Sequence, residues 1–193
     1  MSVNPVIFDL GAYGSVLATR DKGRVAGRAA ADQLSSASSM VLAFWGVEVA
    51  SPPFLDEVVR AVRAELLGGT SSRLLIVAGV NADVRESLEI VLERQGAAMA
   101  ALEHGQLTLL GGSRHLEETL REAQKLGYFS ARDLAERLAV KLPNLHSRLK
   151  ALAEAGAVAR DHDAPGERPK RGGTAKAFRT GDLEVLDRIV TAS

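Results

Sequence analysis

The chain has 193 residues, 46% hydrophobic but only 4% aromatic, with 24 basic residues balancing 24 acidic ones and no cysteine. Its cores must be aliphatic and alanine-rich, and the missing thiols exclude a disulfide framework and thiolate metal sites, as suits a reducing compartment. No run approaches the roughly 18 apolar residues of a membrane span, and MSVNPVIFDL lacks the basic start and apolar core of a signal peptide, so a cytoplasmic chain outside any membrane is expected.

Residues 5–11 (PVIFDLG) and 15–18 (SVLA) predict a short strand pair around Ala12–Gly14. Residues 19–34 predict a helix with Val25, Ala29, Ala30 and Leu34 on its inner face, weakened by Gly23 and Gly27. Its basic residues Arg20, Lys22, Arg24 and Arg28 could hold an anion at the helix start, although a solvated face is the simpler reading. MVLAFWGV (40–47) is a continuous apolar run and predicts a strand covered on both faces. Ser51-Pro52-Pro53 opens a helix whose inner side is Phe54, Val58, Ala61, Val62 and Leu66, with Asp56 and Glu57 complementing its dipole. Leu74–Val80 is a second buried strand; Asp83 is the expected cap of a helix running to Gln95. Residues 98–102 and 106–110 predict a terminal hairpin about His104-Gly105, completing an α/β mixed-sheet domain over 1–111.

Gly111-Gly112 is the expected joint to a second, mostly helical domain over 113–193. Residues 113–126 predict a helix with Leu116, Leu120, Ala123 and Leu126 inward. FSARDLAERLAVKLPNLHSRLKALAEAGAV (129–158) reads as two helices and a tight turn. Ser130 and Asp133 form a capping box, Pro143 lies early in the second helix, and Gly156 ends it. In that second helix Leu142, Leu145, Leu149 and Leu152 share the expected inner face. The opposite face carries Asn144, Ser147, Lys150 and Ala151, flanked by His146 and Arg148. These groups suit a major groove: asparagine can bond adenine in two places, and Arg and Lys reach guanine or phosphate. Residues 158–160 and 175–179 predict paired strands around a Pro/Gly-rich loop carrying Arg168, Lys170 and Arg171. Charge is uneven: nine basic residues against twelve acidic in 1–112, fifteen against twelve in 113–193, a modest phosphate-facing excess.

Helix, turn, helix and basic-tipped hairpin together resemble the winged helix-turn-helix domains of bacterial transcription regulators, over about 113–180. Lys141 departs from the family pattern, which places Ser or Thr at that helix start. The resemblance implies a second helix that reads double-stranded DNA through Asn144, Ser147 and Lys150, with His146 and Arg148 at its margin. Lys141, Arg168, Lys170, Arg171 and Lys176 then meet phosphate or the minor groove, and a homodimer reading paired half-sites is expected.

Over residues 14–96 the chain resembles the bacterial STAS-like domain, through Leu17, Thr19 and Arg20; Phe44, Gly46 and Val47; and Ser51, Phe54, Asp56 and Glu57. That resemblance implies a small α/β regulatory module with a protein partner, switched by a phosphoserine at the second helix. The usual acceptor position is Pro52 here, which leaves Ser51 as the candidate regulatory residue, although an N-cap is its simpler role. A partner-switching protein acting without DNA is the rival reading. No phosphate-binding glycine loop, nucleophile elbow, cysteine nucleophile or His pair at i, i+4 occurs, so neither catalytic residues, metal nor cofactor is expected, and an enzyme is disfavoured.

Overall fold

The computed structural model describes residues 5–68, 73–161 and 177–181. Its centre is a five-stranded mixed sheet in the order β1 (Val6–Asp9), β3 (Ser39–Ala43), β5 (Leu74–Ala78), β6 (Met99–Glu103) and β7 (Gln106–Leu110). The first four strands run parallel, and β7 returns antiparallel to β6 through the expected hairpin, with Glu103 opposite Gln106.

The expected pairing of residues 5–11 with 15–18 does not form. The Asp9 carboxylate accepts from the Gly11 N–H at 2.9 Å and starts a single 3-10 turn, Leu10–Tyr13, that carries the chain off the sheet. The next strand, β2 (Val16–Leu17), pairs in parallel with β4 (Val49–Ala50) instead.

Three helices cover one face of the sheet: α1 (Arg20–Ser35), α2 (Pro52–Gly68) and α3 (Ala82–Arg94). In α1 the inner stripe is Gly23, Ala26, Gly27, Ala30 and Leu34, whereas Val25 is 63% exposed, so the face predicted from apolar spacing is rotated. The cause is close helix approach. A Cβ at Gly23 would lie 2.5 Å from the Phe54 carbonyl oxygen, and one at Gly27 would lie 3.0 Å from the Glu57 oxygen. Only glycine lets α1 and α2 meet there. The cap of α3 is Asn81, two residues before the expected Asp83: its Oδ1 accepts from Val84 N at 2.9 Å, while its Nδ2 donates to the carbonyls of Val47 and Glu48.

Strands β3 and β5 are buried at every position, Ser39 included; the apolar run 40–47, expected as one strand, leaves the sheet after Ala43 and turns at Gly46, φ 70°. Alternation divides them: Met40, Leu42, Leu75 and Val77 face α1–α3, and Val41, Ala43, Ile76 and Ala78 face the other way. That second face is covered by the chain beyond Gly112. It comprises α4 (Arg114–Leu126), β8 (Tyr128–Ser130), α5 (Ala131–Arg137), α6 (Leu142–Glu154), β9 (Val158–Asp161) and β10 (Ala177–Thr180). One continuous apolar cluster joins Ile76, Ala100 and Leu109 of the sheet to Leu120, Leu134, Leu145, Leu149, Leu152 and Phe178.

Backbone hydrogen bonds fix the contact. The α6 helix closes with Ala157 N donating to Leu152 O and Gly156 N to Ala153 O, and Gly156 adopts φ 76°. The carbonyls of this turn then take the place of a strand neighbour: Leu75 N donates to Gly156 O at 3.1 Å, and Ala100 N to Ala155 O at 2.9 Å. A Cβ on Gly156 would fall 2.6 Å from the Leu75 oxygen. Strands β8, β10 and β9 form a small antiparallel sheet in that order, so the expected pairing is present between 158–160 and 178–180, with β10 between its partners; residues 175–176 of the expected strand lie outside the described residues.

Candidate nucleic-acid interface

The two helices singled out in the sequence are α5 and α6, joined by the four residues Leu138–Lys141. The capping box exists: Asp133 N donates to Ser130 Oγ at 3.2 Å and Ser130 N to Asp133 Oδ2 at 3.1 Å. Helix α5 ends on Ala139 at φ 52°, a left-handed conformation usually left to glycine, stabilised by Val140 N donating to Ala135 O at 3.0 Å. Lys141 is the N-cap residue of α6 and makes no side-chain capping bond, as its lack of a hydroxyl dictates.

Leu145, Leu149 and Leu152 hold α6 down, but Leu142, placed with them by spacing, is 39% exposed because it lies at the very start of the helix beyond the packed layer. Lys141, Asn144, His146, Ser147 and Lys150 are exposed, so the first three turns of α6 present a polar surface. Ser147 Oγ donates back to the Pro143 carbonyl at 3.3 Å. The Lys150 ammonium stands 3.8 Å from Glu154 Oε1, an exposed ion pair of small energetic weight.

Arg148 does not join that outward face. It is half-buried on the seam with α4, and its Nη1 donates to Thr119 Oγ1 at 3.2 Å. Thr119 is fully buried and its hydroxyl donates in turn to the His115 carbonyl at 2.6 Å. Sequence reasoning passed over Thr119. The available signal was a hydroxyl in the inner row of α4, four residues before Ala123 and between Leu116 and Leu120. Glu122, also on α4, accepts from Lys125 and from Arg137 Nε of α5 at 2.6 Å, and these bonds hold its carboxyl below the ordinary glutamate range. The remaining DNA-facing candidates, Arg168, Lys170, Arg171 and Lys176, lie outside the described residues.

In the first layer, Ser51 Oγ donates to the Ala18 carbonyl at 2.6 Å and accepts from Phe54 N at 3.4 Å, so its hydroxyl ties the start of α2 to the segment before α1. Asp56, assigned to the helix dipole, is instead a buried tie. Its Oδ1 accepts from Gln95 Nε2 at 2.9 Å, its Oδ2 from Arg60 Nη2 at 2.7 Å, and Arg94 Nη2 stands 3.2 Å from Oδ1. The Gln95 hydrogen bond, with Arg60 and Arg94 outweighing the effect of burial, holds the Asp56 carboxyl below the usual aspartate range.

Among the described residues no group of three His, Asp or Glu side chains converges to hold a metal ion, and no helix is long and apolar enough to cross a membrane. No protein-family model matches the chain, and neither does any curated protein or solved structure.

Proposed function

We propose that this chain is a DNA-binding transcription regulator, with α6 lying in the major groove and the α/β layer of residues 1–111 serving as a STAS-like regulatory module that takes a protein partner. The observation that carries the reading is the surface of α6: a helix anchored by three buried leucines whose outer side holds exposed Asn144, His146, Ser147 and Lys150 and no large apolar group past Leu142. Helices solvated for their own sake tend to alternate carboxylates with amines. Here the first carboxylate of α6 is Glu154, its last residue, so twelve positions pass without negative charge. A phosphate-lined groove favours such a face. The element order of helix, short strand, two helices and antiparallel strands β9 and β10 supports the same reading.

Electrophoretic mobility shift against sheared genomic DNA, at two salt concentrations and with nonspecific competitor, tests it. Retained binding that weakens with salt is expected, followed by selection of a preferred duplex. On that duplex Asn144→Ala should relax preference at one base pair, at a cost of about 1–3 kcal/mol there. Unchanged preference with measurable binding would mean that the groove face has been misassigned. A homodimer on paired half-sites belongs to the proposal, and a sedimenting monomer on DNA would remove that part. Absence of binding to any DNA at low salt would favour the partner-switching alternative.

A further inference from the structure

Arg148 stands out among the polar residues of α6 because the residue is half-buried yet has no carboxylate within 4.0 Å among the described residues. Arg73 and Arg137, which bridge elements elsewhere, each have an acidic partner. Among the described residues Arg63, Arg160 and Arg179 lack one as well; Arg63 reaches Gln95 and Arg179 the Ser38 carbonyl, away from α6. The polar partner of Arg148 is a neutral hydroxyl, Thr119 Oγ1, 3.2 Å from Nη1. That hydroxyl is itself immobilised, since Thr119 is fully buried and its proton is committed to the His115 carbonyl at 2.6 Å. Among the described residues the cation is thus held by a neutral acceptor alone, and a guanidinium has five N–H donors in a fixed fork, of which this contact uses one. In sequence Arg148 follows Ser147 directly and lies one turn after Asn144, so the charge sits where the exposed side of α6 meets α4.

We propose that Arg148 is a phosphate clamp rather than a base reader: Thr119 pre-orients its guanidinium at the α4–α6 seam, where it binds a DNA backbone phosphate and sets the register of Asn144 and Ser147 in the groove. The inference rests on the DNA reading above and assigns Arg148 a different part in it. Fixing the fork beforehand removes rotamer entropy that a solvated arginine would lose on binding, and planar phosphate recognition uses the fork's remaining donors. Thr119 is a positioning residue that touches no DNA.

The test uses the full chain, a duplex enriched from a randomised pool by the unaltered protein, and an unselected duplex of equal length, with affinity measured across salt concentration. Arg148→Ala should weaken binding to both duplexes by the same factor, about tenfold, the weight of a charge-assisted hydrogen bond, and lower the salt slope by about one. Arg148→Lys should keep the slope. Thr119→Val, which removes the acceptor, should weaken binding several-fold with the slope unchanged. If Arg148→Ala fails to fold, Arg148→Gln, which keeps an N–H for Thr119 and drops the charge, is judged on the same slope. Loss confined to the selected duplex would make Arg148 a base reader, and lowered Tm with an unaltered slope would make it a packing strut; either result overturns the clamp. Unaltered protein that binds neither duplex at low salt removes the DNA reading itself, and the clamp with it.

Discussion

Asp56 illustrates how a side chain with a sufficient local explanation acquires a different one from its neighbours. Near the start of α2, it could serve the helix dipole; instead it is buried and accepts from Gln95, Arg60 and Arg94, joining α2 to the end of α3. Its folded pKa lies below the ordinary value of 3.8, so the carboxylate contributes stability that is complete above the unfolded value and is lost as pH falls through the lower, folded value. Asp56→Asn should therefore be less stable than the unaltered chain at pH 7, with the gap narrowing from about pH 4 downward. Chemical denaturation at several pH values checks this; a gap that stays constant into acid would mean that the ion pairs contribute nothing. Ser51 shows the converse. A serine before two prolines predicts a cap, and its hydroxyl is so engaged, with Ala18 and Phe54 as partners.

At the scale of elements, α1 is where composition misleads. Glycine within a helix costs about 1 kcal/mol against alanine, which marks Gly23 and Gly27 as weaknesses when the helix is considered alone. Against α2 they are the surface of contact. Gly23→Ala should consequently destabilise the protein by about 1–3 kcal/mol in spite of its better helix propensity, because the new methyl would meet a backbone carbonyl that cannot rotate away. A urea midpoint equal to or above that of the unaltered chain would show that the helices separate freely. Around the α5–α6 turn the capping box of α5, the early proline and the Gly156 closure of α6 are local chemistry and occur where the residues predict them, whereas α5 itself closes on Ala139, one residue before the turn expected at Val140-Lys141.

For the whole molecule, the chief finding is that α4–α6 form the third layer over the sheet. The joint at Gly111-Gly112 admits no slack: a Cβ on Gly111 would lie 2.6 Å from the Ala97 carbonyl, and Gln124 Nε2 bonds the Leu107 carbonyl at 2.8 Å. With α6 also hydrogen-bonded to β5 and β6, the elements on either side of the joint share one apolar cluster. Calorimetry should accordingly show a single cooperative transition whose calorimetric and van't Hoff enthalpies agree, and residues 113–193 expressed alone should bind a hydrophobic dye and lack that transition. Two separable transitions would mean that the layers fold independently. If a partner acts on the α/β layer, this packing means that its effect reaches α6 through shared side chains and backbone bonds, with no flexible tether between.

What the sequence determined by itself is whatever nearby residues settle: the apolar runs of β3 and β5, the β6–β7 hairpin about His104-Gly105, the capping box of α5, the Gly156 closure of α6, and the polar outer side of α6. These depend on periodicity, turn chemistry and hydrogen bonds spanning a few residues. Tertiary structure decided the rest. The parallel pairing of β1 with β3, the glycine face of α1, the recruitment of Asp56, and the seating of Arg148 on Thr119 each join residues far apart in the chain. No local pattern encodes such partners, because close packing selects for the shape and charge of a surface that exists only once both elements are in place.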